Sequence, residues 1–177
     1  LQDFVVLKQR FTHYHEVQQI LHEAGWTGWL EEKVFDLLVK LNIFDEDENL
    51  SLREFQVPQY FSRDLLQQTA SIQLNLEDFL SSRLDLRSLY TVSIDDKETT
   101  DIDDAISWEM QEERIQLGIH IADVAQFVPF KSLIDQEAIK RFTSIYLPER
   151  KIEMLPAHLA QHLCSLVAHE PRLALSV

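Results

Sequence analysis

The chain has 177 residues, 45% of them hydrophobic, which suits one ordinary domain or two small ones and supplies enough apolar material for a real core. Its 16 Lys and Arg stand against 30 Asp and Glu, a formal net charge of -14. That balance argues against a simple basic nucleic-acid-binding module, but less against a metal-dependent nuclease, because acids packed around ions are partly neutralised by them.

The chain opens on Leu1-Gln2-Asp3, without the basic n-region of a signal peptide, and no apolar run approaches the roughly 18 residues needed to span a bilayer. An intracellular protein, cytoplasmic or organellar and away from membranes, is therefore expected. Val17, Ile20, Leu21 and Ala24 predict one apolar face of a first helix, with Gly25 as its stop. Thr27 is the expected cap of a second helix striped by Leu30, Val34, Leu37, Leu38 and Leu41. The acidic run Asp45-Glu46-Asp47-Glu48 reads as a solvated turn. Leu50, Leu52 and Phe55 then read as a short wing-like strand ended by Pro58. Ser62 is the expected cap of a further helix through Leu65, Leu66 and Thr69. Together these elements predict a small helical, winged-helix-like domain over residues 1–80. Glu31, Glu32 and Asp36 make its second helix a poor reader of duplex DNA, so packing or substrate guidance is expected of it.

From about Leu84 strands predominate, and the boundary is placed near Phe79 to Arg83. Tyr90 to Ile94 predicts a strand entering an aspartate cluster. Ile115, Leu117, Ile119 and Ile121 alternate with Arg114, Gln116, Gly118 and His120, which predicts a strand that buries its isoleucine and leucine face. Ser132 and Asp135 form a capping-box pair for a helix expected to turn Ile134, Ala138 and Phe142 inward. Pro148 and Pro156 bracket a short extended piece, and Leu173 to Val177 predicts a last strand. Cys164, the one cysteine, excludes an internal disulfide framework or a cysteine-based zinc site and reads as a small buried hydrophobe. With only three glycines, a glycine-rich phosphate loop is excluded. His120 and Asp123 are expected to serve structure through a hydrogen bond that shapes the hairpin.

The informative stretch is Ser93-Ile94-Asp95-Asp96-Lys97-Glu98-Thr99-Thr100-Asp101-Ile102-Asp103-Asp104-Ala105-Ile106. Hard cations such as Mg²⁺ prefer carboxylate oxygen. Asp101 and Asp103 share a face of an extended backbone, and Asp95 joins them if residues 96–100 loop out; Asp104 points away unless the chain turns. An EF-hand does not fit, because neither register places glycine and the final glutamate where that loop needs them. Spacing alone leaves an exposed acidic turn and a cation site both open. The apolar flank favours the cation site, since unpartnered charges beside a core strand are costly.

The segment Thr91 to Ile106 resembles the ribonuclease II/ribonuclease R family of exoribonucleases. So do Gly118-Ile119-His120-Ile121-Ala122-Asp123-Val124-Ala125, Thr143-Ser144-Ile145-Tyr146-Leu147-Pro148, Met154-Leu155-Pro156 and Cys164-Ser165-Leu166, in the family's order. The resemblance covers roughly Leu84 to Val177. It implies the first half of a mixed α/β ribonuclease II-type catalytic domain over residues 81–177, which together with the helical N-terminal domain read from the periodicity gives an α+β chain. It further implies that Asp95, Asp101, Asp103 and Asp104 hold Mg²⁺ or Mn²⁺, with Asp103 least replaceable in the chemistry. Tyr146 matches the aromatic that stacks on the RNA's 3′-terminal nucleotide; its competing reading is a core tyrosine.

The implied activity is hydrolytic 3′-to-5′ degradation of single-stranded RNA to nucleoside 5′-monophosphates. The family's catalytic domain continues past the point matching Val177, so a piece of a longer enzyme, lacking part of the machinery on its own, is expected. A non-catalytic scaffold binding RNA or protein is the alternative, and the intact aspartate set speaks against it. A metal-dependent phosphatase would leave the Tyr146 and Cys164 segments unexplained. No feature indicates an oligomeric state.

Overall fold

The computed structural model describes residues 1–177, apart from the side chain of Gln111. The chain divides into two compact units, Leu1–Gln59 and Tyr60–Val177. The first is helical: α1 (Gln2–Val6), α2 (Tyr14–Glu23), α3 (Leu30–Lys40) and α4 (Leu50–Glu54). Phe4, Tyr14, Leu21, Leu30, Val34, Leu38 and Phe44 are buried together, with the Phe4 and Tyr14 rings stacked at 4.8 Å. Tyr14 donates its hydroxyl to Glu31, and this bond holds the Glu31 carboxyl below its ordinary range.

Several expectations for this unit need correction. Gly25 does adopt a left-handed φ of +84° just beyond α2, but the buried stripe of that helix is Tyr14, Val17 and Leu21, while Ile20 and Ala24 face solvent. Thr27 does not cap α3. Gly28 turns the chain at φ +82° and the helix starts after Trp29, while the Thr27 carbonyl accepts from Lys33 Nζ at 2.5 Å. The wing strand is a helix instead: Asn49 Oδ1 accepts from the Leu52 amide, capping α4, which buries Leu52 and leaves Phe55 exposed.

The second unit starts earlier than residue 81, because α5 (Arg63–Ala70) belongs to its core. Ser62 caps α5 as expected. Leu65 is buried with Ala122, Phe127, Ile134, Leu159, Cys164 and Leu173, and Phe61, Ile72, Leu74 and Phe79 pack around them. Arg141, at the end of α6 (Leu133–Arg141), reinforces this. Its guanidinium donates to Glu137 and to the Tyr60 and Glu153 carbonyls and lies over the Phe61 ring. Burying so much of residues 60–79 against the later chain moves the boundary to Gln59.

The sheet contains β1 (Thr91–Val92), β2 (Asp104–Gln111), β3 (Arg114–Ala122) and β6 (Ala174–Ser176) in the order β1-β2-β3-β6, antiparallel throughout. A separate hairpin pairs β4 (Ile145–Tyr146) with β5 (Lys151–Ile152). Ser132 caps α6 as expected, and Ile134 and Ala138 face inward. Phe142, however, lies beyond the last helical turn at φ +66° and is exposed.

The alternation in β3 is real, but its buried face is the opposite one. Ile115, Leu117, Ile119 and Ile121 are exposed, whereas His120 and Ala122 are buried. Period-two patterning separates two faces and cannot say which one the rest of the chain covers. The covered face carries a polar chain: His120 Nε2 and Nδ1 lie 2.8 Å from Ser107 Oγ and Ser176 Oγ. A Cβ at Gly118 would meet Ser107 Oγ at 2.6 Å and His120 Nε2 at 3.1 Å, so a side chain there would have to displace the Ser107–His120 pair. His120 thus ties β2, β3 and β6 together without touching Asp123, which pairs with Arg83 at 2.5 Å.

Candidate active site

The aspartate segment is shaped by its backbone anchors. Strand β1 ends at Val92, and a turn closed by Thr99 N–H donating to the Asp96 carbonyl at 2.9 Å loops out the residues between Asp95 and Asp101. The chain then runs extended from Thr100 into β2. Ser165, fully buried, accepts from the Ile102 amide at 2.9 Å and donates to the Thr100 carbonyl at 2.8 Å. The Leu166 amide donates to the Ile102 carbonyl and the Ala122 amide to the Asp103 carbonyl. Four hydrogen bonds from two distant segments therefore fix the stretch that presents Asp101 and Asp103.

This arrangement brings Asp95, Asp101, Asp103 and Asp104 onto one cleft of about 720 Å³, with Tyr146 and Lys151 on its wall. Asp104, the first residue of β2, lines the same cleft. Tyr146 is 72% exposed, so it is not a core tyrosine. The carboxyl of Asp103 is held above the ordinary range, chiefly by partial burial and then by Asp101, with Asp104 and Asp95 adding and Lys151 opposing. Such mutual repulsion means the cleft carries more negative charge than its own cations offset.

Lys151 and Ser165 are the site residues that sequence reasoning did not single out. Lys151 is the cross-strand partner of Tyr146 and forms an ion pair with Asp101 Oδ2. Its Nζ lies 5.0 Å from the Tyr146 ring centroid and 3.8 Å from Glu153 Oε1. Burial alone would lower its pKa, but the bond to Asp101 and the charges of Asp101 and Glu153 outweigh that and hold it above its ordinary value.

The donor chemistry of the cleft fits a hard divalent cation: four carboxylates, an open mouth, and a charge excess that a cation would relieve. Among the described residues, no three His, Cys, Asp or Glu side chains are already drawn together at ligating distance. Cys164 is buried nearby and its thiol is pushed up to about 11, chiefly by burial and then by Asp103 and Asp123, which makes it a packing residue.

The fold and cleft define an α+β protein with an acid-lined cleft where an antiparallel sheet begins. Residues 83–177 match the RNB domain, and the chain belongs to this family of exoribonucleases. It is 36% identical over 156 residues to Ribonuclease R of Mycoplasmopsis pulmonis, covering 82% of this chain and 22% of that protein. Among solved structures it resembles Mycoplasma genitalium RNase R in complex with ribose methylated single-stranded RNA, at TM-score 0.65 and 29% identity, over 71% of this chain and 20% of that one. It also shares its fold with an active-site mutant of the Dss1 exoribonuclease from Candida glabrata, at TM-score 0.71 and 19% identity, over 99% of this chain and 24% of that one. The chain spans about a fifth of the length of these relatives. Among the described residues, no helix is long and apolar enough to cross a membrane.

Proposed function

We propose that this chain supplies the metal-binding and terminal-nucleotide part of a hydrolytic 3′-to-5′ exoribonuclease site that degrades single-stranded RNA to nucleoside 5′-monophosphates. The observation that carries the reading is the convergence of Asp95, Asp101, Asp103 and Asp104 on one cleft beside the exposed ring of Tyr146. The solved relative in complex with single-stranded RNA supports the substrate class.

Asp95, Asp101, Asp103 and Asp104 would hold Mg²⁺ or Mn²⁺, which supplies charge stabilisation at a phosphate and a more acidic water. Asp103, whose carboxyl is raised by burial and by the charges of Asp101, Asp104 and Asp95, is the residue whose charge the reaction least spares. The chain's own part is mostly positioning. Ser165 and Ala122 fix the backbone on which the acids stand. Tyr146 offers a π-face to a terminal base of any identity, as a degrading enzyme without sequence preference requires.

Incubating a complete enzyme that carries these residues with 5′-labelled single-stranded RNA, with and without EDTA, tests the reading. Stepwise shortening from the 3′ end, abolished by chelator and restored by Mg²⁺, is expected. Internal cuts, or undiminished cleavage in EDTA, overturn it.

A further inference from the structure

Lys151 places a fixed positive charge among the acids that the proposed function assigns to a metal. It is paired with Asp101, and both side chains are about four-fifths buried. Two residues along the same strand direction, Glu153 lies on the same side of the extended chain. Glu153 Oε1 accepts from Gln161 Nε2 at 2.7 Å and sits 3.8 Å from Lys151 Nζ. Its other oxygen, Oε2, is the one buried side-chain oxygen or nitrogen among the described residues that lacks a hydrogen-bond partner.

A buried carboxylate oxygen without a donor is costly, and the Lys151 ammonium, 3.8 Å from the other oxygen of the same carboxylate, is a donor it could gain. One lysine therefore has two carboxylate partners: Asp101, which it now holds, and Glu153, which is left half-satisfied. A divalent cation held by Asp101 would repel the ammonium beside it, and the way to Glu153 is short.

We infer that Lys151 is a built-in counter-ion of the aspartate cleft, shared between Asp101 and Glu153 and drawn wholly to Glu153 when a divalent cation is held by Asp101. This rests on the metal reading of the cleft given above. Lys151 is then a positioning residue that sets the affinity and selectivity of the cleft for divalent ions; it has no part in breaking the bond. Its place across the hairpin from Tyr146, with Nζ 5.0 Å from that ring, links the same movement to the wall where a terminal base would stack.

Binding of Mn²⁺ to the chain, followed by calorimetry or by the loss of the free-ion electron paramagnetic resonance signal, tests the inference without relying on activity. Lys151→Met should bind Mn²⁺ about tenfold more tightly, the factor expected when a unit charge about 6 Å from a divalent ion is removed in a near-aqueous dielectric. Lys151→Arg should stay close to the parent. Glu153→Gln should weaken binding in the parent but have little effect in the Lys151→Met background. If Glu153 acted only through its charge, its effect would persist unchanged in both backgrounds, and that result would overturn the transfer.

An unchanged or weaker affinity in a folded Lys151→Met variant also overturns the inference. Should that variant fail to fold, the ¹⁵N resonance of the Lys151 ammonium in the parent protein decides the matter during a Mg²⁺ titration. A saturable shift supports the transfer, and an unmoved resonance rejects it. Asp103→Asn separates the two levels of failure. If it leaves Mn²⁺ affinity unchanged, the metal reading itself falls and the counter-ion role falls with it. If it weakens binding while Lys151→Met does nothing, only the counter-ion role is lost.

Discussion

Ser165 Oγ accepts the Ile102 amide at 2.9 Å across 63 residues of sequence, and through that bond a fully buried hydroxyl sets the backbone between Asp101 and Asp103. The same oxygen donates to the Thr100 carbonyl at 2.8 Å, so one side chain satisfies both a donor and an acceptor of the aspartate stretch. The Cys164-Ser165-Leu166 segment thereby has a physical reason to accompany the aspartates: Ser165 and the Leu166 amide clamp Ile102 from its two polar sides.

Ser165→Ala should cost about 1–3 kcal/mol, because it removes the partner of both a backbone donor and a backbone acceptor that are part-buried. Urea denaturation measures that loss. The same variant should bind Mn²⁺ more weakly even under conditions where it is fully folded, because the acids lose their fixed spacing. A variant as stable as the parent with unchanged Mn²⁺ affinity would remove Ser165 from the account of the site.

Cys164 gives a dependence on pH. Its thiol is raised from 9.0 to about 11, first by burial and then by Asp103 and Asp123. The folded state therefore holds the thiol proton more tightly than the unfolded chain does. That contribution is fully present below about pH 9 and is lost as pH rises through about 11. Two pKa units correspond to about 3 kcal/mol at most. Stability measured from pH 8 to 11 should fall more steeply in the parent than in Cys164→Ala, and alkylation of the folded parent at pH 8 should be slow.

How much of this was legible in the sequence depended on how local each cause is. The aspartates stand within ten positions, so their shared cleft could be anticipated from the extended spacing of Asp101 and Asp103 and a loop between Asp95 and Asp101. Lys151 comes from another hairpin, and no periodicity connects it with Asp101. The capping of α5 and α6 by Ser62 and Ser132 is a local hydrogen bond and is readable in the sequence; the cap at Asn49 is equally local and makes α4 a helix where the apolar spacing suggests a wing. The buried face of β3 has a less local cause. Leu117 and Ile119 mark an apolar face, but what covers a sheet is decided by the path of the whole chain, and here that path buries His120. The division at Gln59 is non-local likewise, since Leu65 joins a core assembled mostly from residues beyond 120.

Asp103→Asn keeps the size of the side chain and removes one charge from the acids that surround it. With Asp103 in contact with solvent and its carboxyl raised mainly by burial and by Asp101, the exchange should leave the fold intact. RNA cleavage should drop on the order of a hundredfold or more, as losing an essential charge-stabilising group does. RNA binding should persist, because stacking and contacts to phosphates elsewhere hold the strand. Turnover within about threefold of the parent would remove Asp103 from its assigned place.

Tyr146→Ala should change where degradation ends and not whether a bond is broken. The ring is 72% exposed and touches the cleft chiefly through Lys151, so its removal should cost little stability. A short RNA has few phosphates left to contact, and the stacked terminal base then supplies a growing share of its binding. Losing about 1–3 kcal/mol of stacking weakens short products roughly 5- to 150-fold. Long substrates at saturating concentration, held at many points, should be affected less. The variant should release longer end products than the parent while still attacking long RNA. A product ladder and a melting curve on the same preparation separate the outcomes: an unchanged ladder with an unchanged melting temperature would take Tyr146 out of substrate binding, and a large drop in melting temperature would return it to a structural role that its exposure contradicts.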